Sequence, residues 1–349
     1  MPTPLKILGL IAHETDPSSR ARLLQYIPHL NSLDIFVTPR FFNPHTNADP
    51  SKWMYKANKF TGINPWRFLW LQKTISRLPL FYSQYNYDII WQNRMILPHQ
   101  SFFEQKLSKP IIFDFDDAIW LHDGEKHVIK AIQNATQVFA GNEYLANFAV
   151  KYNNKIQIIP SVIDTAQLFP LKTETSFFTI GWIGSASNLR YLEPIKPAIL
   201  DFLSQNPDTR FMVVSSDPGN LFQFDGNRIL FKKWSPENEN RLINEMNVGI
   251  MPLTDDEYTR GKCSYKMLQY MACGKPVVVS PVGMNLKILK ESNAGFAAKE
   301  NNKWKDAFSS LKNDQPLYKE HSVNGRNCVE EKYSLNKFTP VVAGLFRSL

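Results

Sequence analysis

The chain has 349 residues, of which 43% are hydrophobic and 21% charged, and its formal net charge is +8. The length predicts two domains of about 150 residues each, and the composition is ordinary for a soluble globular protein. No apolar run approaches the roughly 20 residues of a membrane-spanning helix, and the N-terminus lacks a signal-peptide cleavage site. The excess positive charge favours an anionic partner of unspecified kind.

In the first half of the chain, short apolar runs alternate with helical patterns. Strands are predicted at 5–12, 34–38, 87–91, 110–113, 137–140 and 156–159. Helices are predicted at 20–27, 125–134 and 143–151, the first of them capped by Ser18 or Ser19 and ended by Pro28. Continuous apolar strands that alternate with helices indicate a doubly wound α/β domain around a buried parallel sheet.

Residues 50–87 differ from the rest, because they contain six cationic side chains and no acidic one. The cations are Lys52, Lys56, Lys59, Arg67, Lys73 and Arg77, and Trp53, Trp66 and Trp70 are among the aromatic residues between them. On a helix pair this mixture predicts a surface that lies in a membrane interface with anionic headgroups. The alternative is that the aromatic side chains form core and the bases are merely solvated. Single-stranded nucleic acid would use similar residues, but no nucleic-acid-binding module is readable.

Three aspartates, Asp114, Asp116 and Asp117, stand at the end of the fourth predicted strand. Aspartates two positions apart are typical of sites that hold a divalent ion and a diphosphate. A second interpretation makes Asp116 or Asp117 a general base for a hydroxyl, or a group that positions it. A third is structural, with carboxylates that cap the turn after the strand.

In the second half, a polar linker at 169–176 precedes a strand at 177–183 and a turn of small residues that contains Gly184, Ser185 and Ser187. A helical run to residue 203 follows, then strands at 210–215 and 228–231, a helix at 236–246, and a C-terminal helical segment at 331–349 broken at Pro340. A strand, a small-residue turn and a helix N-terminus together form a cradle for phosphate.

The most informative stretch is 248–285, where two apolar strands, 248–252 and 276–280, flank a loop and a helix at 264–273. Gly274 follows the helix, where a left-handed residue ends it. The loop carries Arg260, Gly261, Lys262 and Ser264, and Tyr265 and Lys266 begin the helix. Because ligands of parallel sheets sit beyond the carboxyl ends of the strands, this βαβ unit predicts an anion site. A solvated basic loop is the alternative for any single residue.

This stretch resembles the donor-binding segment of glycosyltransferase family 4, also described as glycosyl transferases group 1. The pattern R-G-K-x-x-x-K-x-x-Q-Y-M, which begins at Arg260, is similar to one branch of the family, and the sequence A-C-G-K-P-V-V after it matches the end of the segment. The two glutamates of the usual E-x7-E pattern are replaced by Gly261 and Gln269. The G-W-I-G-S turn, Asn93-Arg94 and the D-x-D-D-A-x-W run at Asp114 extend the resemblance over most of the chain.

The resemblance implies a GT-B fold, in which two Rossmann-like doubly wound domains face each other across a cleft. We expect an acceptor-side domain at 1–172, a domain that binds nucleotide-sugar at 173–330, and a helical segment at 331–349 that crosses back to the first domain. Asp116 and Asp117 are then expected to line the cleft.

The implied function is transfer of a sugar from a nucleoside diphosphate sugar, the donor substrate, to a hydroxyl of a glycan or lipid-linked acceptor in surface glycan synthesis. Retention of configuration follows from the family, and we expect neither a cofactor nor a metal. The catalytic candidates are Asp116, Asp117, Lys262 and Lys266. The donor-binding candidates are Gly184, Ser185, Ser187, Arg260, Gly261, Lys262, Ser264, Tyr265, Lys266 and Gln269, whose amide suits a ribose hydroxyl.

Two other functions remain open from the residues. A GT-B nucleotide-sugar epimerase would share the donor site, but it would have no use for the basic and aromatic segment. A catalytically inactive subunit that binds nucleotide-sugar agrees with the missing glutamates. Three cysteines without metal-ligand spacing indicate free thiols in a reducing cytoplasm, so we expect a cytoplasmic protein, peripheral at the inner membrane face if residues 50–87 bind lipid.

Overall fold

The computed structural model describes residues 3–41, 52–62, 64–173 and 176–349. Two compact units divide the chain: residues up to Pro160 together with Thr339–Leu349, and Ser161–Phe338. Residues 161–172, which the sequence analysis placed in the first domain, therefore belong to the second unit, where Ile163 and Leu168 are buried in the core. Part of the predicted linker, at positions 174 and 175, lies outside the described residues.

The first unit contains a parallel sheet with strand order β2-β1-β3-β4-β5-β6. Its strands are β1 (Leu5–Ile11), β2 (Ile35–Phe41), β3 (Ile89–Asn93), β4 (Ile111–Phe115), β5 (Gln137–Ala140) and β6 (Ile156–Ile158). All six predicted strands of this half are present. The side chains of β3 and β4 are buried along their whole length, as expected of central strands covered on both faces.

Helices cover this sheet and connect its strands. They are α1 (Pro17–Arg22), α2 (Ile27–Asn31), α3 (Lys52–Thr61), α4 (Pro65–Ile75), α5 (Leu80–Ser83), α6 (Phe102–Lys106), α7 (Glu125–Asn134) and α8 (Glu143–Ala149). The predicted helix at 20–27 was wrong in its ends. Asp16, rather than Ser18 or Ser19, caps α1 by accepting from Ser19 N, and Pro28 lies in the first turn of α2, where its missing N–H costs nothing.

The second unit contains the other parallel sheet, with order β12-β11-β10-β7-β8-β9. Its strands are β7 (Phe178–Ile183), β8 (Thr209–Ser215), β9 (Ile229–Lys233), β10 (Val248–Met251), β11 (Val277–Val279) and β12 (Gly295–Ala297). The short strand β12 was not predicted, because only three residues form it and Gly295 opens it. Two doubly wound sheets confirm the predicted α/β class.

The helices of this unit are α9 (Lys196–Gln205), α10 (Glu239–Asn244), α11 (Glu257–Arg260), α12 (Tyr265–Ala272), α13 (Met284–Ser292), α14 (Asn301–Asn313), α15 (Gln315–Lys332) and α16 (Leu335–Arg347), whose end belongs to the first unit. Gly274 is left-handed after α12 (φ +65°), as predicted. The run after Gly184 is a 3₁₀ segment (Ala186–Ile195) before α9 begins. Pro340 does not break the last helix, since α16 continues through it.

The basic and aromatic segment forms α3, α4 and α5, which confirms its predicted helical character. Pro50, Ser51 and Ile63, and the side chains of Lys52 and Trp53, lie outside what the structure describes. Arg77 is not a surface cation as predicted: it is buried and donates to Ile96 O (3.0 Å) and Lys73 O (2.7 Å). No helix within the described ranges is long and apolar enough to cross a membrane.

Candidate functional site

The loops after β7 and β10 lie at the point where the strand order of the second sheet reverses. β10 pairs with β7 on one side and β11 on the other, while β7 also pairs with β8. In open parallel sheets this switch point leaves a crevice beyond the carboxyl ends of the strands, where ligands bind. The two stretches predicted to hold phosphate, the turn at Gly184 and the loop before α12, are therefore neighbours.

Contact between these stretches is direct at Gly184. A Cβ atom at this position would lie 2.5 Å from Lys266 Cε and 2.7 Å from Trp182 Cζ2, so only glycine leaves room for the lysine. Lys266 Nζ lies 5.9 Å from the ring centroid of Trp182. The first turn of α12 thus sends its cation across the end of β7. This packing explains Trp182 and Gly184 of the G-W-I-G-S motif.

The second lysine, Lys262, lies among aromatic rings. Its Nζ is 4.6 Å from the ring centroid of Tyr258 and 5.9 Å from that of Tyr191. Such cation–π contacts contribute about 0.5–1 kcal/mol at exposed sites and hold a flexible side chain in place. Arg190 donates to Tyr191 Oη (3.1 Å), and this hydrogen bond is the main cause of the raised pKa of Arg190. Three cations therefore gather beside the switch point.

Tyr191, Tyr258 and Arg190 were not predicted as site residues. Tyr258 stands two positions before Arg260, so a search for aromatic residues beside the basic loop would have found it. Tyr191 and Arg190 lie in the 3₁₀ segment after β7, and no local pattern marks them. Only the pairing of β7 with β10 brings them to the loop.

The other residues of the turn and loop have defined places. The Ser185 hydroxyl accepts from Asn188 Nδ2 (2.8 Å) and lies 3.2 Å from the exposed Ser187 hydroxyl, so both hydroxyls line the turn. Arg260 ends α11, and its Nε donates to Asp255 Oδ1 (2.7 Å) in an ion pair open to water. Gly261 follows as the C-cap residue of α11. Arg260 is thus paired outside the cluster formed by the lysines.

Ser264 precedes α12 in a left-handed conformation (φ +56°) that serine rarely adopts. Its hydroxyl donates to Asn285 Oδ1 (2.7 Å), and Asn285, which is completely buried, donates to Met251 O and Ser280 O. These bonds tie the start of α12 to the end of β10. A residue other than glycine in the left-handed conformation costs about 1–3 kcal/mol. The hydrogen bonds through Asn285 stabilise Ser264 in that conformation.

Gln269 and Tyr265 lie on α12 after the lysine. Gln269 is only 3% exposed. Its amide offers both a donor and an acceptor, which suits a ligand with hydroxyl groups. Tyr265 is half-buried and packs against the core of the second unit.

The predicted carboxylates lie in the first unit, at the switch point of its own sheet. β1 pairs with β2 and β3, and the residues after β1, β3 and β4 converge there. Asp116 accepts from Ser18 Oγ (2.7 Å) and from Arg94 Nη2 (3.0 Å), and the same Arg94 nitrogen donates to Asp117 Oδ2 (2.6 Å). Arg94 is itself left-handed (φ +61°), so the backbone turn after β3 aims its guanidinium at both carboxylates.

The pKa values of Asp114 and Asp116 are shifted in opposite directions. Burial raises the pKa of Asp116, but the charges of Arg94 and Arg22 and the hydrogen bond from Ser18 lower it below its ordinary value. Burial raises the pKa of Asp114 to about 6, although Arg22 Nε (2.8 Å) and Trp91 Nε1 (3.0 Å) donate to it. Each carboxylate of the D-x-D pair therefore accepts hydrogen bonds from its own arginine.

Comparison with known proteins bears on both units. Residues 177–314 match the family model of glycosyl transferases group 1. That range contains the turn at Gly184 and all the loop residues, and it spans less than half of the chain. No curated protein matches the sequence.

Solved structures similar to the whole chain share its fold at low identity. Sucrose-phosphate synthase from Thermosynechococcus elongatus has a TM-score of 0.70 at 14% identity, covering 99% of this chain and 98% of that chain. HepE from Anabaena, in complex with UDP-glucose, has a TM-score of 0.70 at 15% identity, and the match covers 99% of this chain and 100% of HepE. A glycosyltransferase from Rickettsia africae has a TM-score of 0.67 at 13% identity, and the match covers 99% of this chain and 98% of that chain. The fold is GT-B, the two-domain α/β fold of these glycosyltransferases.

Proposed function

We propose that this protein is a glycosyltransferase that moves a sugar from a nucleoside diphosphate sugar to a hydroxyl of a glycan or lipid-linked acceptor. Retention of configuration, independence from metal, a role in surface glycan synthesis and a cytoplasmic location belong to the proposal. The observation that carries it is the contact of Lys266 with Gly184, which joins two predicted phosphate cradles at one switch point. The family model over 177–314 and the similarity to HepE, which was crystallised with UDP-glucose, support a UDP-sugar as the first donor to test.

The donor diphosphate binds between the turn at Gly184 and the first turn of α12. Helix N-termini carry a partial positive charge, and Lys262 and Lys266 add two full charges. Negative charge grows on the leaving diphosphate as the bond to the sugar breaks, so the lysines stabilise the transition state more than the bound donor. Gln269 donates to and accepts from a ribose hydroxyl, in place of the glutamate that the family pattern has there.

Asp116 and Asp117 act on the acceptor side of the reaction. The lowered pKa of Asp116 makes this carboxylate a weak base, so we assign it to orienting the acceptor hydroxyl as a hydrogen-bond acceptor rather than to removing its proton. Arg94, which contacts both carboxylates, holds them in position.

A binding screen tests the donor site before any acceptor is known. Thermal unfolding with UDP-, GDP-, dTDP- and CMP-sugars should show stabilisation by one nucleotide class, since a ligand at 100 times its Kd adds about 2.7 kcal/mol to native-state stability. Lys266→Ala should lose most of this stabilisation. Lys290→Ala, which removes an exposed lysine on α13 of the same unit, is the control and should keep it. Stabilisation by none of the four classes would overturn the proposal.

The bound donor then separates the enzyme from the two alternatives. A transferase should hydrolyse its donor slowly without an acceptor and release free nucleoside diphosphate. An inactive subunit should bind the donor and release none. An epimerase should convert the donor sugar and leave it attached, which nuclear magnetic resonance of the recovered nucleotide-sugar would show.

A further inference from the structure

An exposed apolar surface extends along α4 and the residues after it, within the first unit. Its members are Trp66, Trp70, Leu71, Ile75, Leu78, Tyr82 and Tyr85, with exposed fractions from 43% to 83%, and we call this set the 66–85 surface. Phe102 is also exposed, and its ring lies 6.0 Å from that of Phe81. Exposed apolar side chains that are concentrated in one segment, rather than scattered singly, are typical of interaction sites.

The helix that carries this surface is anchored by a different face. Pro65 and Leu69 are buried, and Asn64 caps the helix by accepting from Trp66 N (2.9 Å). At 100° per residue, Trp66, Trp70 and Ile75 lie about 80° to 120° around the helix from the centre of that buried face, with Trp66 and Ile75 on opposite flanks. One face therefore suffices to fold α4. Trp66 and Trp70, 55% and 48% exposed, are therefore not core residues, whereas Phe81 of the same segment packs against the core, as the alternative interpretation expected.

The charged residues of this segment have one sign. Lys56, Lys59 and Arg67 are exposed, and no acidic residue occurs from 50 to 87. The buried Arg77 does not contribute. A second copy of the chain docked through the same surface would bring cations against cations, so self-association is disfavoured. A partner with an anionic surface would attract the cations, and an apolar interior would bury the tryptophan rings.

We propose that the 66–85 surface docks on a bilayer with anionic headgroups, with Trp66 and Trp70 at the level of the interface. Tryptophan prefers this level because its ring is apolar and its N–H is polar, and lysine and arginine side chains bind the headgroups. Single-stranded nucleic acid would use similar residues, but no nucleic-acid-binding module is readable in the sequence. Placing a lipid-linked acceptor at this surface rests on the proposed function, whereas binding to vesicles does not.

Flotation of the full-length protein with vesicles tests the docking. At low salt it should float with vesicles that mix phosphatidylcholine and phosphatidylglycerol, and much less with pure phosphatidylcholine. Each cation near an anionic surface strengthens binding about fivefold, so the triple variant Lys56→Glu, Lys59→Glu, Arg67→Glu should weaken it about 100-fold or more. The matched control reverses three exposed lysines elsewhere in the same unit, Lys126, Lys130 and Lys151, and should float nearly as wild type.

A second pair of variants tests the apolar part. Trp66→Ser with Trp70→Ser should release the protein even from anionic vesicles, while Leu200→Ser with Val323→Ser, exposed in the second unit, should not. Thermal unfolding with the donor checks that every variant is folded, and it separates a failed membrane proposal from a failed donor site. Absence of wild-type flotation at low salt would overturn the proposal. Equal release by the lysine control, or a dimer in sedimentation that the tryptophan variants abolish, would also overturn it.

Discussion

At the scale of single residues, the two lysines should differ sharply from the neighbouring arginine. Lys262→Ala and Lys266→Ala should each lower kcat by roughly 100-fold, the usual effect of losing one contact to charge that develops in the transition state. Arg260→Ala should cost much less, because Arg260 is paired with Asp255 in water. Steady-state measurement of kcat for the three variants, with Lys290→Ala as control, shows whether the lysine variants lose more activity than the arginine variant. Near-wild-type turnover in both lysine variants would contradict the assignment.

The carboxylates should affect transfer and leave donor binding nearly intact. Asp116→Asn or Asp117→Asn keeps the shape of the side chain and removes the charge that Arg94 neutralises, so at least one of them should abolish transfer. Donor affinity from thermal unfolding should stay near that of wild type, since these residues belong to the other unit.

Chelation tests the metal alternative for the same D-x-D residues. We expect full transfer in EDTA, because Arg22 and Arg94 already neutralise Asp114 and Asp116. Loss of activity in EDTA with recovery on adding Mn²⁺ would contradict this expectation and restore the metal interpretation.

Single residues were predictable where a motif fixed them and unpredictable where the fold brought them together. Gly184 and Lys266 followed from their patterns. Of the two rings beside Lys262, Tyr258 lies near it in the sequence, but Tyr191 could not be predicted, because β8, β9 and β10 lie between it and Lys262 in the chain. Arg77 shows the opposite error: composition placed it among surface cations, and only its bonds to Ile96 O and Lys73 O identify it as buried.

At the scale of elements, α6 carries a buried acid, Glu104, that is hydrogen-bonded to β3 and should make the free energy of unfolding depend on pH. Glu104 Oε1 accepts from Gln92 Nε2 and Ile96 N, both at 3.0 Å, and Gln92 Nε2 also donates to the carbonyl of Arg94 (2.8 Å). Burial raises the pKa of Glu104 to about 7 from 4.5. The acid thus supports the turn that aims Arg94.

The sign of the effect follows from proton binding. Between about pH 4.5 and about pH 7 the folded state keeps the Glu104 proton that the unfolded state loses, so the stabilisation present below this window disappears as pH rises through it. Glu104→Gln should remove a slope of up to about 1.4 kcal/mol per pH unit from the free energy of unfolding. Urea unfolding at several pH values measures it, with exposed Glu125→Gln as control. An unchanged slope in Glu104→Gln would contradict the prediction.

Elements with strong patterns were predicted, and weak ones were not. Strands such as β1 and β8 were predicted because each ends in a run of five consecutive buried residues. β12 is too short for any pattern. Pro340 was predicted to break a helix because it removes a hydrogen bond, yet α16 continues through it, and burial of its neighbours Thr339 and Val342 outweighs that loss.

At the scale of the whole molecule, the fold class followed from two rounds of alternating strands and helices. The chain passes from one unit to the other twice: its return at the C-terminal end was expected, although it begins at Thr339 rather than at 331, whereas the first passage, after Pro160, was expected later in the chain. Composition marks a polar linker at 169–176, but the core contacts of Ile163 and Leu168 set the boundary earlier. Such contacts join residues distant in sequence, which no local pattern encodes.

The returning end of α16 should stabilise the first unit alone. Phe346 is buried, with its ring 5.2 Å from that of Trp91 and 6.2 Å from that of Phe139. Phe346→Ala should lower the free energy of unfolding of this unit by about 3–5 kcal/mol. Chemical denaturation followed by tryptophan fluorescence measures it, and exposed Val341→Ala on the same helix should have little effect. Donor-induced stabilisation of the second unit should persist in both variants.

The return of Phe346 also sets an order of events during synthesis. Ribosomes add about 5–20 residues per second, and domains generally fold as they emerge. The sheet of the first unit is complete at β6, but the ring that covers Trp91 and Phe139 is made only after the whole second unit. For a time on the order of ten seconds, the nascent first unit therefore exposes the apolar surface of Trp91 and Phe139 to chaperones. Moving α16 ahead of β1 by circular permutation would close this interval.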